Sequence, residues 1–184
     1  FIDVIKPVIK KLKSKKYIDY WFFIRYSDPH PHLRIRLHLS ELDSLGKIIV
    51  IIQKELTPYV NGDLIWKVQT ETYQRELERY GWEKIELSEQ LFYEDSIVCL
   101  EALCFIQEDK SLFFFGLCSL DKLLGAFELS LEDKIVFSKT KIDAFKKEFH
   151  SDKTFNKQLV NKYNGLKNEA HAFLKNSTPE EYLP

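Results

Sequence analysis

The feature that most constrains the fold is a strict alternation of apolar and basic side chains from His32 to Leu39. The odd positions 33, 35, 37 and 39 carry leucine or isoleucine, and the even positions carry histidine or arginine. Successive side chains of a β-strand point to opposite faces of a sheet, so this period of two predicts a strand with one apolar and one basic face. The apolar face is expected to pack on a core.

The residues before this strand predict a hairpin. Residues 20–27 are aromatic and β-branched, as strands prefer, and Asp28-Pro29-His30-Pro31 predicts a turn because proline has no N–H to donate. The hairpin would carry four basic side chains in a row, with Arg34 and Arg36 roughly 7 Å apart. That spacing suits a small anion with two carboxylates better than a long polyanion. The alternative is a solvated sheet face without a ligand.

Composition limits the class of protein. The 184 residues are 45% hydrophobic and 30% charged, enough for a packed core in one domain or two small ones. The formal charge of −1 argues against a protein that mainly binds nucleic acid non-specifically. No apolar run approaches the roughly 20 residues of a membrane span, and the start shows no signal-peptide pattern.

Cysteine usage predicts a reducing, cytoplasmic environment. Cys99, Cys104 and Cys118 are odd in number and form no CxxC pair, so neither a zinc site nor a disulfide framework is expected. The sequence contains no methionine and opens within an apolar helical pattern. We therefore expect a part of a longer protein, shortened at both ends.

The first 82 residues predict a mixed α/β arrangement. A helical stripe over Phe1–Leu12 precedes the hairpin, and a second helix is predicted from the N-cap Ser40 to about Leu56, ended by Thr57-Pro58. Leu64–Tyr73 alternates and predicts a third strand. This order matches a ferredoxin-like βαββαβ unit whose first strand would precede Phe1.

From Glu83 onward the apolar period changes to 3.6 and predicts only helices. The sequence thus predicts an α+β fold, with a ferredoxin-like antiparallel sheet carrying the arginine strand in residues 1–82 and a helical part in residues 83–184, together forming one compact domain. The predicted helices are Ile85–Ile106, Leu112–Leu124, Ile135–Phe149 (after the start signal Ser130-Leu131-Glu132-Asp133), Phe155–Leu174, and the beginning of another at Thr178-Pro179-Glu180-Glu181.

A second motif follows the predicted third strand. Residues 72–81, TYQRELERYG, place Arg75, Glu76 and Arg79 within five positions. Such spacing commonly gives a surface ion-pair lattice worth roughly a few tenths of a kcal/mol. That is the alternative to a functional role.

Together the two motifs resemble a known family. WFFIRYSDPHPHLRIRLHL, followed about 30 residues later by TYQRELERYG, resembles the C-terminal, glutamate-elimination domain of lantibiotic (lanthipeptide) dehydratases, the thiopeptide-type bacteriocin biosynthesis domain. ELSEQLFYEDS and FFFGLCSLDKLLGAFELSLEDKI are similar to the continuation of that domain. The resemblance covers nearly the whole chain.

The resemblance implies a lyase reaction in bacteriocin biosynthesis. In the family, a separate glutamyl-tRNA-dependent domain or protein esterifies Ser and Thr of a precursor peptide with glutamate. The C-terminal domain then removes glutamate by β-elimination, leaving dehydroalanine or dehydrobutyrine. Loss of the Cα proton develops charge on the adjacent amide oxygen and the leaving glutamate is anionic, so fixed cationic groups are needed. Arginine suits carboxylates because its planar fork binds them bidentately.

The resemblance also implies roles for particular residues. Arg34 and Arg36 match the paired arginines of the family's HLRLR-like strand, and Glu76 and Arg79 match the ExxR of its ERYG segment. We expect Arg36 and Arg79 to be catalytic, holding glutamate and the developing oxyanion. We expect Arg34 and Glu76 to bind substrate and to orient the other two.

The sequence departs from the family pattern in one respect. The family carries a catalytic histidine near its C-terminus, in a segment resembling HMxxNR, which residues 1–184 do not contain. His150 and His171 do not match that segment and are assigned no role. The acid/base histidine is expected to lie beyond Pro184, or the chain lacks full elimination chemistry.

Two other functions remain open. A relative that forms a six-membered ring by [4+2] cycloaddition in thiopeptides would share the fold, although it has no departing glutamate for the arginines to hold. A non-catalytic module that binds peptide or single-stranded RNA is the other alternative, but the RNP-type Gly-aromatic pattern is absent. Neither metal nor organic cofactor is expected. The expected partner is a glutamylated precursor peptide, and a homodimer is neither indicated nor excluded.

Overall fold

The computed structural model describes residues 2–26 and 30–176, in two compact units that comprise Phe1–Cys104 and Phe105–Pro184. The elements of the first unit are α1 (Ile2–Ser14), β1 (Ile18–Tyr26), β2 (His32–Leu39), a 3-10 turn (Leu42–Ser44), α2 (Leu45–Asn61), α3 (Leu77–Tyr80) and α4 (Ile85–Phe105). Those of the second unit are α5 (Asp109–Ala126), α6 (Leu131–Glu148) and α7 (Lys153–Asn176). The α+β class with a helical part is confirmed.

The predicted hairpin is confirmed, and its two faces are divided as the alternation requires. β1 and β2 pair antiparallel, with Trp21 opposite Leu37 on one face and Phe22 opposite Arg36 on the other. The apolar face packs against α1 and α2 in a core that includes the fully buried Leu12. Burying a large apolar side chain contributes roughly 1.5–3 kcal/mol. This face therefore anchors the sheet and leaves the arginine face for other contacts.

The predicted third strand is wrong. Residues 65–76 belong to no helix or strand, and the described sheet has two strands. One edge of β1 is covered by α4 instead: the Phe23 amide donates a hydrogen bond to the buried Ser96 hydroxyl at 3.1 Å. Trp66, one of the apolar residues of this alternation, is 73% exposed. Within the part of the chain that the structure describes, the apolar side of the segment therefore packs on no core that would stabilise a strand. The ferredoxin-like pairing thus extends only to the hairpin.

The predicted limits of the second helix are also wrong. α2 continues through Pro58 to Asn61, and the Thr57 hydroxyl donates to the Gln53 carbonyl at 2.7 Å within the same turn. Ser40 does not cap the helix, because its hydroxyl donates to Asp19 on β1 at 2.6 Å. The contact with Asp19, which is distant in sequence, replaces the local capping interaction expected of Ser40. The predicted helix start at 178–181 lies outside the described residues.

The second unit confirms the helices predicted after residue 106. α6 begins with a capping box in which the Ser130 hydroxyl accepts from the Asp133 amide at 3.2 Å and the Asp133 carboxylate accepts from the Ser130 amide. A small core forms between α5 and α7, where the rings of Phe114 and Phe173 stack at 5.1 Å. None of the described helices is both long and apolar enough to cross a membrane.

Candidate active site

The basic face of the hairpin forms one wall of a cavity of about 930 Å³ in the first unit. The opposite walls are the irregular segment 71–76, the short helix α3 and one face of α4. The row of arginines is therefore not an open solvated face. All four predicted site residues line this cavity: Arg34, Arg36, Glu76 and Arg79.

Arg34 is held in place by its neighbours on the hairpin. Its Nε donates to His32 Nε2 at 3.2 Å, and its guanidinium carbon lies 4.0 Å from the centre of the Tyr26 ring. Nδ1 of the same histidine is 2.8 Å from the His30 carbonyl oxygen, which can only accept. In this arrangement an N–H at Nδ1 donates to that carbonyl while Nε2 accepts from Arg34. An oriented guanidinium loses little freedom when it binds an anion.

Arg36 has a donor to spare. Its guanidinium carbon lies 5.0 Å from the centre of the Tyr73 ring, across the cavity wall. Its Nε is buried and has no hydrogen-bond partner among the described residues. A buried donor without a partner costs about 1–3 kcal/mol. A bound carboxylate or developing oxyanion would recover that free energy.

Glu76 and Arg79 form an ion pair on the opposite side of the cavity. Arg79 Nη1 lies 3.2 Å from Glu76 Oε2, with the two side chains 68% and 48% exposed. The Glu76 carboxylate raises the pKa of the Arg79 guanidinium further above its usual range. Both side chains are solvent-exposed and the ion pair is screened by water, so Arg79 can move toward a ligand at little cost.

Sequence reasoning missed a residue next to this cavity. Glu89 of α4 is 2% exposed, and Arg75 grips it bidentately, with Nε–Oε1 at 2.9 Å and Nη2–Oε2 at 2.5 Å. The Tyr20 hydroxyl donates to Glu89 Oε2 at 3.2 Å, and the Tyr73 side chain lines the same cavity as this carboxylate. These groups border a second cavity of about 490 Å³, which shares Arg36 with the first. The sequence did contain a signal for this buried acid: Glu89 interrupts an otherwise apolar helical stripe that includes Ile85.

The surroundings of Glu89 and Arg75 favour the charged form of both side chains. Burial pushes the pKa of Glu89 upward, but the hydrogen bonds and charge of Arg75, with those of the two tyrosines, outweigh it and hold the pKa below its usual value. Burial, and then the charge of Glu89, raise the pKa values of Tyr20 and Tyr73. The carboxylate is therefore an acceptor at neutral pH, and both phenols stay protonated donors.

Two other potentially reactive side chains nearby, Cys99 and His38, are either protonated at neutral pH or already in contact with neighbouring residues. Burial and the charge of Asp95 raise the pKa of Cys99 to about 11, so the thiol in the larger cavity is not a nucleophile at neutral pH. His38 Nδ1 lies 2.9 Å from Asp19 Oδ2, and its ring stacks on Tyr20 at 4.5 Å. Within the described ranges, no group of three or more His, Cys, Asp or Glu side chains is arranged to hold a metal ion.

Comparison with protein families relates the chain to lantibiotic biosynthesis. The model of a family described as the C-terminal part of the lantibiotic biosynthesis dehydratase matches residues 1–181. Subtilin biosynthesis protein SpaB of Bacillus subtilis is 29% identical over 155 residues, 80% of this chain and 15% of its own. Nisin biosynthesis protein NisB of Lactococcus lactis subsp. lactis is 34% identical over 92 residues, 49% of this chain and 9% of its own. The chain thus spans less than a sixth of either relative.

Two solved structures share the fold. The tRNA-dependent lantibiotic dehydratase MibB from Microbispora sp. 107891 is 28% identical with a TM-score of 0.52, covering 59% of this chain and 11% of its own. TsrL superposes with a TM-score of 0.60 over 98% of this chain and 57% of its own. At 13% sequence identity, the similarity to TsrL concerns the fold only.

Proposed function

Because the chain belongs to the family of lantibiotic biosynthesis dehydratase C-terminal domains, we propose that it removes glutamate by β-elimination from glutamylated Ser and Thr of a precursor peptide. One observation carries this proposal. Two segments about 40 positions apart in sequence, the arginine strand and the segment before Gly81, bring Arg34, Arg36, Glu76 and Arg79 to one cavity.

The reaction requires two negative charges to be stabilised. A base removes the Cα proton, the Cα electron pair forms the Cα–Cβ double bond, and the Cβ–O bond breaks to release glutamate as a carboxylate. Charge also builds on the amide oxygen next to Cα. Fixed guanidinium groups in a site partly shielded from water stabilise both anions more in the transition state than in the ground state.

The geometry supports a division of labour among the four residues. Arg36 has a buried free donor, so it suits the oxyanion or the departing carboxylate. The exposed Arg79 suits the other end of the leaving glutamate, and Glu76 orients it through the 3.2 Å ion pair. Arg34, held by His32 and Tyr26, binds substrate from a fixed position. The resemblance assigns the base to a histidine outside this sequence.

The partners follow from the same proposal. Glutamylation would be supplied by another domain or protein that uses glutamyl-tRNA, since the chain spans only 15% of its subtilin relative. The modified precursor peptide would bind across the larger cavity. A departing glutamate explains the arginines, and the structure adds no observation that favours cycloaddition or RNA binding.

The test uses a synthetic peptide with glutamate esterified to one serine. We expect a protein that carries this chain together with the family's histidine segment to convert it to a dehydroalanine peptide one water lighter than the unmodified serine peptide, measured by intact mass. Arg36→Ala and Arg79→Ala should leave the glutamyl ester intact. Lys67→Ala, exposed in the neighbouring segment, is the control. Hydrolysis back to serine, or parent-like elimination by both arginine variants, would contradict the proposal.

A further inference from the structure

A buried acid lies behind the candidate site and has no part in the elimination described above. Glu89 receives hydrogen bonds from Arg75 and Tyr20, and a charge that is 2% exposed persists only when it is paired in this way. Tyr20 is already fixed in the ladder of β1. Arg75 has no such support.

The segment that carries Arg75 depends on side chains for its position. Residues 65–76 form neither helix nor strand, so no regular backbone ladder holds them. The Tyr73 ring packs edge-on against Phe22 at 5.8 Å and lies 5.0 Å from the Arg36 guanidinium. The Arg75 guanidinium, two residues further along the segment, donates to both oxygens of Glu89.

We propose that Glu89 is a positioning residue, whose carboxylate anchors the segment through Arg75 and thereby sets Glu76 and Arg79 opposite Arg36. Glu76 directly follows Arg75 in the chain, so a displacement of the anchor displaces the Glu76–Arg79 pair. The inference rests on the elimination proposed above, because the placement of Glu76 and Arg79 opposite Arg36 matters only if these residues act in that reaction. Glu89 contacts no substrate in this scheme and acts only through the segment.

A carboxylate is required here because all of its neighbours donate. Arg75 donates to both oxygens, and the Tyr20 hydroxyl adds a further donor to Oε2. An amide of equal size has one acceptor oxygen and an NH₂ that would face a donor. Glu89→Gln therefore breaks the anchor with almost no change in volume.

The first measurement is the rate of glutamate release from the O-glutamyl serine peptide. We expect Glu89→Gln to lower kcat about 10- to 100-fold with a smaller change in KM, because a misplacement of about 1 Å can cost 10²-fold. The matched control is Glu86→Gln, one turn earlier on α4. Glu86 is 3.9 Å from Arg75 and 78% exposed, so its loss should change kcat less than about twofold.

Two readouts separate positioning from a general loss of structure. In Glu89→Gln, trypsin should cleave faster after Lys67 and Arg79, while cleavage at Lys141 in the second unit stays unchanged. In an Arg79→Ala background, Glu89→Gln should lower the single-turnover rate little further, since it acts through Arg79. If the rate losses of Glu89→Gln and Arg79→Ala multiply in the double variant, the proposal is overturned.

A second variant covers the case in which Glu89→Gln does not fold. Arg75→Lys keeps the positive charge and loses the bidentate contact with Glu89, and we expect the same faster cleavage with a several-fold lower kcat. Parent-like rate and parent-like cleavage in the folded variants would refute positioning while elimination stands. If the parent protein leaves the glutamyl ester intact, elimination fails instead, and the trypsin pattern alone decides whether Glu89 anchors the segment.

Discussion

Replacing Arg36 with methionine should separate function from stability. The change keeps the aliphatic stem but removes the guanidinium over Tyr73, a cation–π contact worth about 0.5–2 kcal/mol. It also removes the buried, unpartnered Nε donor, whose burial costs about 1–3 kcal/mol. These effects oppose each other, so the free energy of unfolding should change by less than about 1 kcal/mol. Glutamate release should fall about 10²-fold, as on loss of one oxyanion donor.

The stability of the first unit is measured by urea unfolding with tryptophan fluorescence. Trp21 is 2% exposed and reports that core, whereas Trp66 and Trp82, 73% and 80% exposed, contribute a background that changes little. The control is Arg75→Met, which leaves Glu89 without its main partner. Breaking a buried pair costs about 3–5 kcal/mol, and we expect about 2–3 kcal/mol because Arg75 is 37% exposed.

The reasoning about Arg36 is refuted by either of two results. A loss of more than about 2 kcal/mol in Arg36→Met would mean that the guanidinium supports the fold and is not held free for an anion. Parent-like glutamate release from a stable variant would remove Arg36 from the site.

Three further predictions follow from the packing. Ile35→Asp would bury a charge against the hairpin core and should cost about 3 kcal/mol or more; a folded variant by circular dichroism would mean that the two strand faces are reversed. Because the folded pKa of Glu89 lies below the unfolded value of 4.5, its stabilisation is fully present above pH 4.5 and is lost as the pH falls through the folded pKa. The stability difference between parent and Glu89→Gln should therefore shrink on acidification, and a difference that is constant from pH 7 to pH 3 would contradict this. Ser130→Ala removes the capping box and should destabilise the second unit by about 1 kcal/mol in thermal melts followed by circular dichroism, with the Trp21 signal unchanged.

Local patterns in the sequence were sufficient for the elements that one short stretch can specify. The alternation around Ile35 predicted both strand and faces, because a period of two is a property of the strand itself. The 3.6 period predicted α4 to α7, and Ser130-Leu131-Glu132-Asp133 marked the start of α6 because capping involves neighbours in the chain. Arg34 and Arg36 were recognisable for the same reason: their spacing is local.

Local pattern failed wherever a distant partner decided the outcome. Residues 65–76 alternate like a strand, but α4 contacts the edge of β1 through Ser96, and the segment joins no ladder. Ser40 had the character of an N-cap, yet Asp19 takes its hydroxyl.

The sequence alone thus determined the α+β class, the hairpin with its two faces, and the row of basic side chains on one of those faces. Tertiary structure decided that two motifs share one cavity and that Glu89 is buried behind it. The physical reason is that the cost of burying a charge depends on what lies across from it in space. Arg75 and Tyr20 supply the donors that make a buried carboxylate stable at that position, and only the folded chain brings them together.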